Sequence, residues 1–279
     1  MGKLDGRVAL ITGGGRGMGR AHAVAMAREG ADIVICDIDF QVEGIPYPMN
    51  SPNDLAETAA LVRATGQQCL ARVADVRKFD ELEDVANAAV AELGQLDILV
   101  ANAGTFAAGS IVELEVREWA TVVDTVLTGV FNSIKAVAPY LMAQKSGRII
   151  ATASGMGRHG TAQMSAYTAA KWGVIGLAKS AAKELGPFGV TVNVLNPGMV
   201  DTPIIRNDHL RRLWNPELAD PTDADVDRKV LELRLHHMPI AVLPPEDVAA
   251  AAVFLASEDA RYISGGTIEV GAGYAANYT

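Results

Sequence analysis

"VALITGGGRGMGRAHAVAMAREGADIVICD", residues 8–37, is the stretch on which the fold turns. It opens as a continuous apolar run, breaks at glycines, proceeds with helical spacing and ends in a second apolar run closed by Asp37. Continuous rather than alternating apolarity is expected of parallel strands covered on both faces. Gly13, Gly17 and Gly19, with Arg16 and Met18 between and beside them, form a turn whose backbone can approach a pyrophosphate at the N-terminus of the following helix. A glycine-rich turn alone is a weak signal, equally consistent with a plain turn. Asp37 adds a second signal, because it lies eighteen residues after Gly19 at the end of the second run. A carboxylate there can accept hydrogen bonds from an adenosine ribose diol and repels a 2′-phosphate, which favours NAD over NADP. Arg16 could offset that repulsion.

Outward from this stretch the pattern repeats. "RVALIT", "ADIVIC", "QCLARV", "LDILVA", "GRIIATA", "VTVNVL" and "TIEV" are seven strand candidates with helical spacing between most of them. The expectation is α/β: a single Rossmann-type doubly wound domain over residues 1–279, with a seven-stranded parallel sheet and helices on both faces. Two segments exceed ordinary connections, an insertion at 38–50 beside the adenosine site and a substrate lid at about 199–244. The lid's Ile204, Ile205, Leu213, Trp214 and Met238 could wall an apolar pocket or form a small core of their own.

Composition narrows the function. A net charge of −9 without a basic block argues against nucleic acid and anionic membranes as partners. No apolar run approaches the roughly 18 residues of a membrane span, and the first run is too short for a signal peptide. Two cysteines, Cys36 and Cys69, lack metal-ligand spacing, and His236 and His237 are adjacent and poorly placed to share a metal, so no metal site is expected. A reducing, cytoplasmic setting fits.

The chemistry lies in "ATASGMGRHGTAQMSAYTAAKWG". Tyr167 and Lys171 are four apart and share a helix face, and Ser154 ends a strand thirteen residues before the tyrosine. A tyrosine with a pKa of about 10 must be acidified before it accepts protons near neutrality, and a lysine ammonium nearby works in that direction. His159 lines the pocket or is merely structural, and is left out of the catalytic set. Met164 and Trp172 are expected to pack.

Taken together, "TGGGRGMG", "DV" at 75–76, "NAG" at 102–104, Ser154, "YTAAK" and "NPGMVDT" at 196–202 resemble the short-chain dehydrogenase/reductase family across nearly the whole chain. The resemblance implies that Asp75 and Val76 contact adenine and that Asn102, Ala103 and Gly104 pack beside the cofactor. It implies that Pro197, Gly198, Val200 and Thr202 hold the nicotinamide end, Val200 and Thr202 its carboxamide, and that Lys171 bonds the nicotinamide ribose. Tyr167 would take the alcohol proton while hydride leaves for the nicotinamide, and Ser154 would orient the substrate oxygen. A homotetramer is the family's usual assembly. One position departs from the pattern: Val126 stands where the family usually has an asparagine that loosens the helix and holds a water. Thr125 and Thr128 are the candidates to hold it instead; Asn132 faces another side.

The insertion adds a further resemblance. After Asp37 the next helix starts only at Ser51, Pro52 and Asp54, which leaves Ile38 to Asn50 extra, with Phe40, Ile45, Tyr47 and Met49 as apolar cover. This implies a flap over the cofactor, or a subunit contact, and makes the chain similar to the mycofactocin-coupled, carveol dehydrogenase-like branch. That branch would hold NAD tightly and pass electrons to a mycofactocin-type carrier. An NADPH-dependent ketoreductase and a nucleotide-binding protein without turnover stay open as alternatives. The substrate expected is a secondary alcohol or its ketone.

Overall fold

The computed structural model describes residues 2–278. Its seven strands are β1 Val8–Thr12, β2 Asp32–Asp37, β3 Cys69–Val73, β4 Ile98–Ala101, β5 Gly147–Thr152, β6 Val190–Pro197 and β7 Thr267–Val270. All pairings are parallel, in the order β3-β2-β1-β4-β5-β6-β7. The helices are α1 Gly17–Arg28, α2 Pro52–Arg63, α3 Phe79–Leu93, α4 Val116–Val123, α5 Gly129–Gln144, α6 Ser165–Leu185, α7 Asp208–Trp214, α8 Asp223–Glu232 and α9 Pro245–Ala256. Chain order reverses between β1 and β4, and that switch point opens a crevice at the carboxyl ends of the strands.

The continuous apolar runs are explained by two cores. Val8 and Leu10 face one, filled by Leu82, Val85, Val137 and Val174 from α3, α5 and α6. Ala9 and Ile11 face the other, filled by Met26, Leu55, Val62 and Val248 from α1, α2 and α9. Successive side chains of a strand point to opposite faces, so a strand covered twice must be apolar at every position.

The two long connections differ in kind. Residues 38–50 carry no helix or strand and are organised by one side chain: the Gln41 amide donates to the Ile45 and Tyr47 carbonyls at 3.1 and 3.2 Å, and its oxygen accepts from Met49 N at 3.0 Å. α2 then begins at the capping box of Ser51 and Asp54, where Ser51 N donates to Asp54 Oδ2 at 2.7 Å. The lid carries α7 and α8, tied together by Arg211–Asp223 at 2.7 Å and anchored by Arg206 to Asp201 and Asp227, each at 2.7 Å. Val200 pairs with Leu243 in an isolated parallel bridge, which closes the base of the lid.

Several expectations change. Trp172 is 52% exposed, because α6 turns it away from the core that holds Lys171. Phe40 and Met238 are 42% and 63% exposed, and neither lines the main cavity. Val116–Gln144 runs as one helical stretch of 29 residues, through a π-helical turn at Asp124–Thr128. By length and composition it could cross a membrane, although half of its most apolar window is buried inside this molecule. Charges at its start hide that length from a scan for uninterrupted apolar runs.

His22 on α1 is fully buried, and neither ring nitrogen has a hydrogen-bond partner. Burial lowers its pKa from 6.5 to about 4. The unfolded imidazole therefore binds a proton first as the pH falls, and stability is lost between 6.5 and 4. That loss amounts to about 3 kcal/mol at the lower end. Replacing His22 by Leu is expected to remove this part of the acid sensitivity, read as a smaller drop in urea-unfolding free energy between pH 7.5 and pH 5 than in the wild type.

Candidate active site

A cavity of about 510 Å³ occupies the crevice at the strand ends. Every residue singled out from the sequence for cofactor or catalysis lines it: Gly13, Arg16, Gly17, Met18, Gly19, Asp37, Asp75, Val76, Asn102, Ala103, Gly104, Ser154, Tyr167, Lys171, Pro197, Gly198, Val200 and Thr202.

The glycine loop is built by close approach. A side chain at Gly19 would begin 1.9 Å from the Gly13 carbonyl oxygen, so only glycine lets α1 start this near β1. Asp37 then fixes the loop: its Oδ2 accepts from Gly15 N and its Oδ1 from Ile38 N, both at 2.9 Å. Burial pushes its carboxyl up to about 6, against those two amides and the charge of Arg16. Arg16 is itself committed, donating to the Pro48 carbonyl of the insertion at 2.7 Å.

Beside this end, Arg77 grips both oxygens of Asp75, with Nε at 2.9 Å from Oδ1 and Nη2 at 2.6 Å from Oδ2. Burial raises the Asp75 carboxyl, but the Arg77 bonds and charge outweigh it and hold the group below the usual carboxylate range. Thr12 organises the Asn102–Gly104 turn through its hydroxyl, which accepts from Asn102 N at 3.0 Å and Ala103 N at 3.2 Å. Neither Arg77 nor Thr12 stands out in the sequence; the signal available for Thr12 is a hydroxyl residue at the strand end directly before the glycines. Asn102 Oδ1 and Thr152 Oγ1 are buried without partners, on residues that line the cavity.

At the other end, Ser154 Oγ accepts from Met156 N at 3.2 Å, Ser154 and Tyr167 line the same wall, and Lys171 Nζ lies 5.4 Å from the centre of the Tyr167 ring. The lysine donates to the Thr152 carbonyl at 2.7 Å. Burial by itself pushes Tyr167 up to about 12 and Lys171 down to about 7, so a phenolate near neutrality calls for the positive charge that an oxidised nicotinamide would add. Val126 is fully buried in the π-helical turn, so this turn forms without an asparagine. Its Cγ2 and Lys171 Nζ each lie 3.9 Å from the point where a Gly104 side chain would begin. The Thr125 hydroxyl donates to the Thr121 carbonyl at 2.8 Å, and Asn132 serves elsewhere, donating to the Val76 carbonyl at 2.9 Å.

The walls near Tyr167 include Met156, Met164, Ile204, Ile205, Leu213 and Trp214. His159 and Tyr274, joined by a hydrogen bond, also line the cavity. The insertion reaches farther than its position after Asp37 suggests. Val42, Ile45 and Tyr47 form a third core with Phe106 and Leu210, against which Tyr167 and the lid packs. Tyr47 stacks on Phe106 at 5.2 Å, bonds Thr105 Oγ1 at 2.6 Å and accepts from Phe106 N at 3.3 Å. Its phenol was legible only as apolar cover; the hydroxyl bonds were not. Tyr47→Phe keeps the stack and deletes both bonds, leaving Thr105 unpaired in a buried site. It is expected to lower stability by about 1–3 kcal/mol in urea unfolding.

A Ser–Tyr–Lys group at the mouth of a doubly wound sheet, opposite a glycine loop closed by an acid, defines a class of nucleotide-dependent oxidoreductase. The sequence model of the short chain dehydrogenase family matches residues 7–212, and the chain belongs to that family. It is 40% identical over 275 residues to a (-)-trans-carveol dehydrogenase of Rhodococcus erythropolis, covering 98% of this chain and 99% of that one. An uncharacterized NAD-dependent oxidoreductase of Mycobacterium tuberculosis is 37% identical, over 98% of this chain and 97% of its own length. Among solved structures, the carveol dehydrogenase of Mycobacterium avium in complex with NAD superposes with a TM-score of 0.96 at 38% identity, covering 98% of this chain and 99% of that one.

Proposed function

We propose that this protein is an NAD-dependent dehydrogenase/reductase that interconverts an apolar secondary alcohol and its ketone. The observation that carries the reading is the placement of Ser154, Tyr167 and Lys171 on the wall of the same cavity that Asp37 closes at its far end. Bound NAD supplies the hydride acceptor for alcohol oxidation, and its reduced form the donor for ketone reduction. The glycine loop receives the pyrophosphate, Asp37 the adenosine ribose, and Thr202 with Val200 the nicotinamide end. Lys171, dry and bonded once, is available to a ribose hydroxyl. In oxidation Ser154 holds the substrate oxygen and Tyr167, as the phenolate, takes its proton; in reduction the Tyr167 phenol returns it.

The choice of NAD over NADP is supported by how the nearby cations are spent. Arg16 is held by Pro48 O, and Arg20 by the Gly15 carbonyl at 2.8 Å and Glu57 at 3.0 Å. Arg20 is thereby paired with an acid, and the Arg16 guanidinium is drawn toward the insertion. We further propose that the insertion retains NAD and that a mycofactocin-type carrier re-oxidises it in place. The support is the joint core of insertion and lid, together with the resemblance to carveol dehydrogenases. Free, buried Cys36 and Cys69 suit the cytoplasm, and Ile111, Val112 and Val116, each more than 80% exposed, suit a homotetramer.

Tyr167→Phe is expected to lower turnover on an alcohol panel by about 10²–10⁴-fold while NAD still binds; turnover within a few-fold of wild type would remove the tyrosine from its role and favour a binding protein. Asp37→Ala is expected to weaken NAD and relatively favour NADP, measured by titration of both. For the retained cofactor, NAD is expected to survive dialysis, to be reduced in place by alcohol and to need an external electron acceptor for further turnovers. Rapid, complete exchange of NAD in the intact protein would sink that part of the reading.

A further inference from the structure

We propose that His236 is a positioning residue for the cofactor-facing backbone at Met199–Thr202. This rests on the cofactor reading above. The imidazole is 3% exposed, at the returning end of the lid, and both nitrogens are engaged. Met199 N donates to Nε2 at 3.0 Å, and Nδ1 lies 3.0 Å from the Ile240 carbonyl oxygen. An amide requires an acceptor and a carbonyl requires a donor, so only the neutral ring with its proton on Nδ1 satisfies both. Burial favours that neutral form.

The fit depends on a missing side chain. A Cβ at Gly198 would stand 2.4 Å from Nε2, so glycine there is what admits the ring against the loop. The other backbone group of Met199 is taken by the same return segment: Leu243 N donates to Met199 O at 2.8 Å, and Asp201 N donates to Leu243 O at 2.9 Å. On the opposite side Gly198 N donates to Val270 O at 2.9 Å, on the last strand. Val200 and Thr202 line the cavity, and their backbone is set by residues that follow them by more than thirty positions. Removing the Nε2 acceptor orphans the Met199 amide and frees this backbone to shift, while Ser154, Tyr167 and Lys171 sit on other elements.

The test compares the full-length wild type with His236→Phe, which keeps a flat ring without an acceptor, and with His236→Gln, which keeps an acceptor oxygen. In the ligand-free protein the Met199 amide is expected to exchange with solvent at least about tenfold faster in the Phe variant, and close to wild type in the Gln variant. NAD is expected to dissociate at least about tenfold faster from the Phe variant, with a rise in KM for NAD that exceeds any change in kcat, and the Gln variant is expected to recover most of the affinity. Equal NAD dissociation from wild type and His236→Phe overturns the inference, as does a Gln variant no better than Phe. If the wild type binds no NAD, the cofactor reading falls, and unchanged Met199 exchange in the Phe variant would separately overturn the bond assigned to His236. Should His236→Phe fail to fold, Gly198→Ala pushes the ring off Met199 from the other side, with the same two readouts and the same outcomes.

Discussion

The bond from Gly15 N to the Asp37 carboxylate joins the end of β2 to the loop that precedes α1, and the cofactor half of the crevice is arranged around it. A half-buried acid is costly to charge, and its carboxyl rises to about 6 even with two amides donating to it. That unfavourable placement makes sense in a polar cleft where further donors arrive with a ligand. The same acid sets what can surround it: Arg16 lends charge from within the loop, while its guanidinium reaches over to the insertion and holds Pro48. Loop, acid and insertion are therefore one hydrogen-bonded unit rather than three neighbours.

The sheet was largely legible because its physics is local. Strands covered on both faces leave continuous apolar runs, and all seven candidates appear as strands within a residue or two of their expected ends. Ser51 and Asp54 announced the start of α2 in the same way, since a capping box is written in four consecutive residues. Ser154, Tyr167 and Lys171 were legible from spacing and resemblance together. What stayed hidden depends on contacts between distant segments. Nothing near Tyr47 tells that its hydroxyl meets Thr105, nor near Arg77 that it will take both oxygens of Asp75. A lysine four residues from Tyr167 is likewise visible in the sequence, but the depth of burial that raises the phenol and lowers the lysine is a property of the assembled core.

Val126 shows how a single side chain separates shape from chemistry. The π-helical turn is present around it, so the backbone irregularity does not need an amide side chain. The valine brings no polar group to this turn. Lys171 donates to the Thr152 carbonyl, and burial lowers its affinity for a proton.

The closed base of the lid also has a bearing on how this molecule can vary. Val200 and Leu243 are paired, and Met199 is held by the same return segment, so the two ends of the excursion meet whatever lies between them. Closing a loop becomes harder only logarithmically with its length, roughly 0.6 kcal/mol for each doubling. Segments of different length and side-chain character can thus be exchanged between fixed ends without disturbing the sheet. In that sense α7 and α8 are a replaceable cassette, and the shape of the pocket they wall can diverge while the chemistry beneath stays in register.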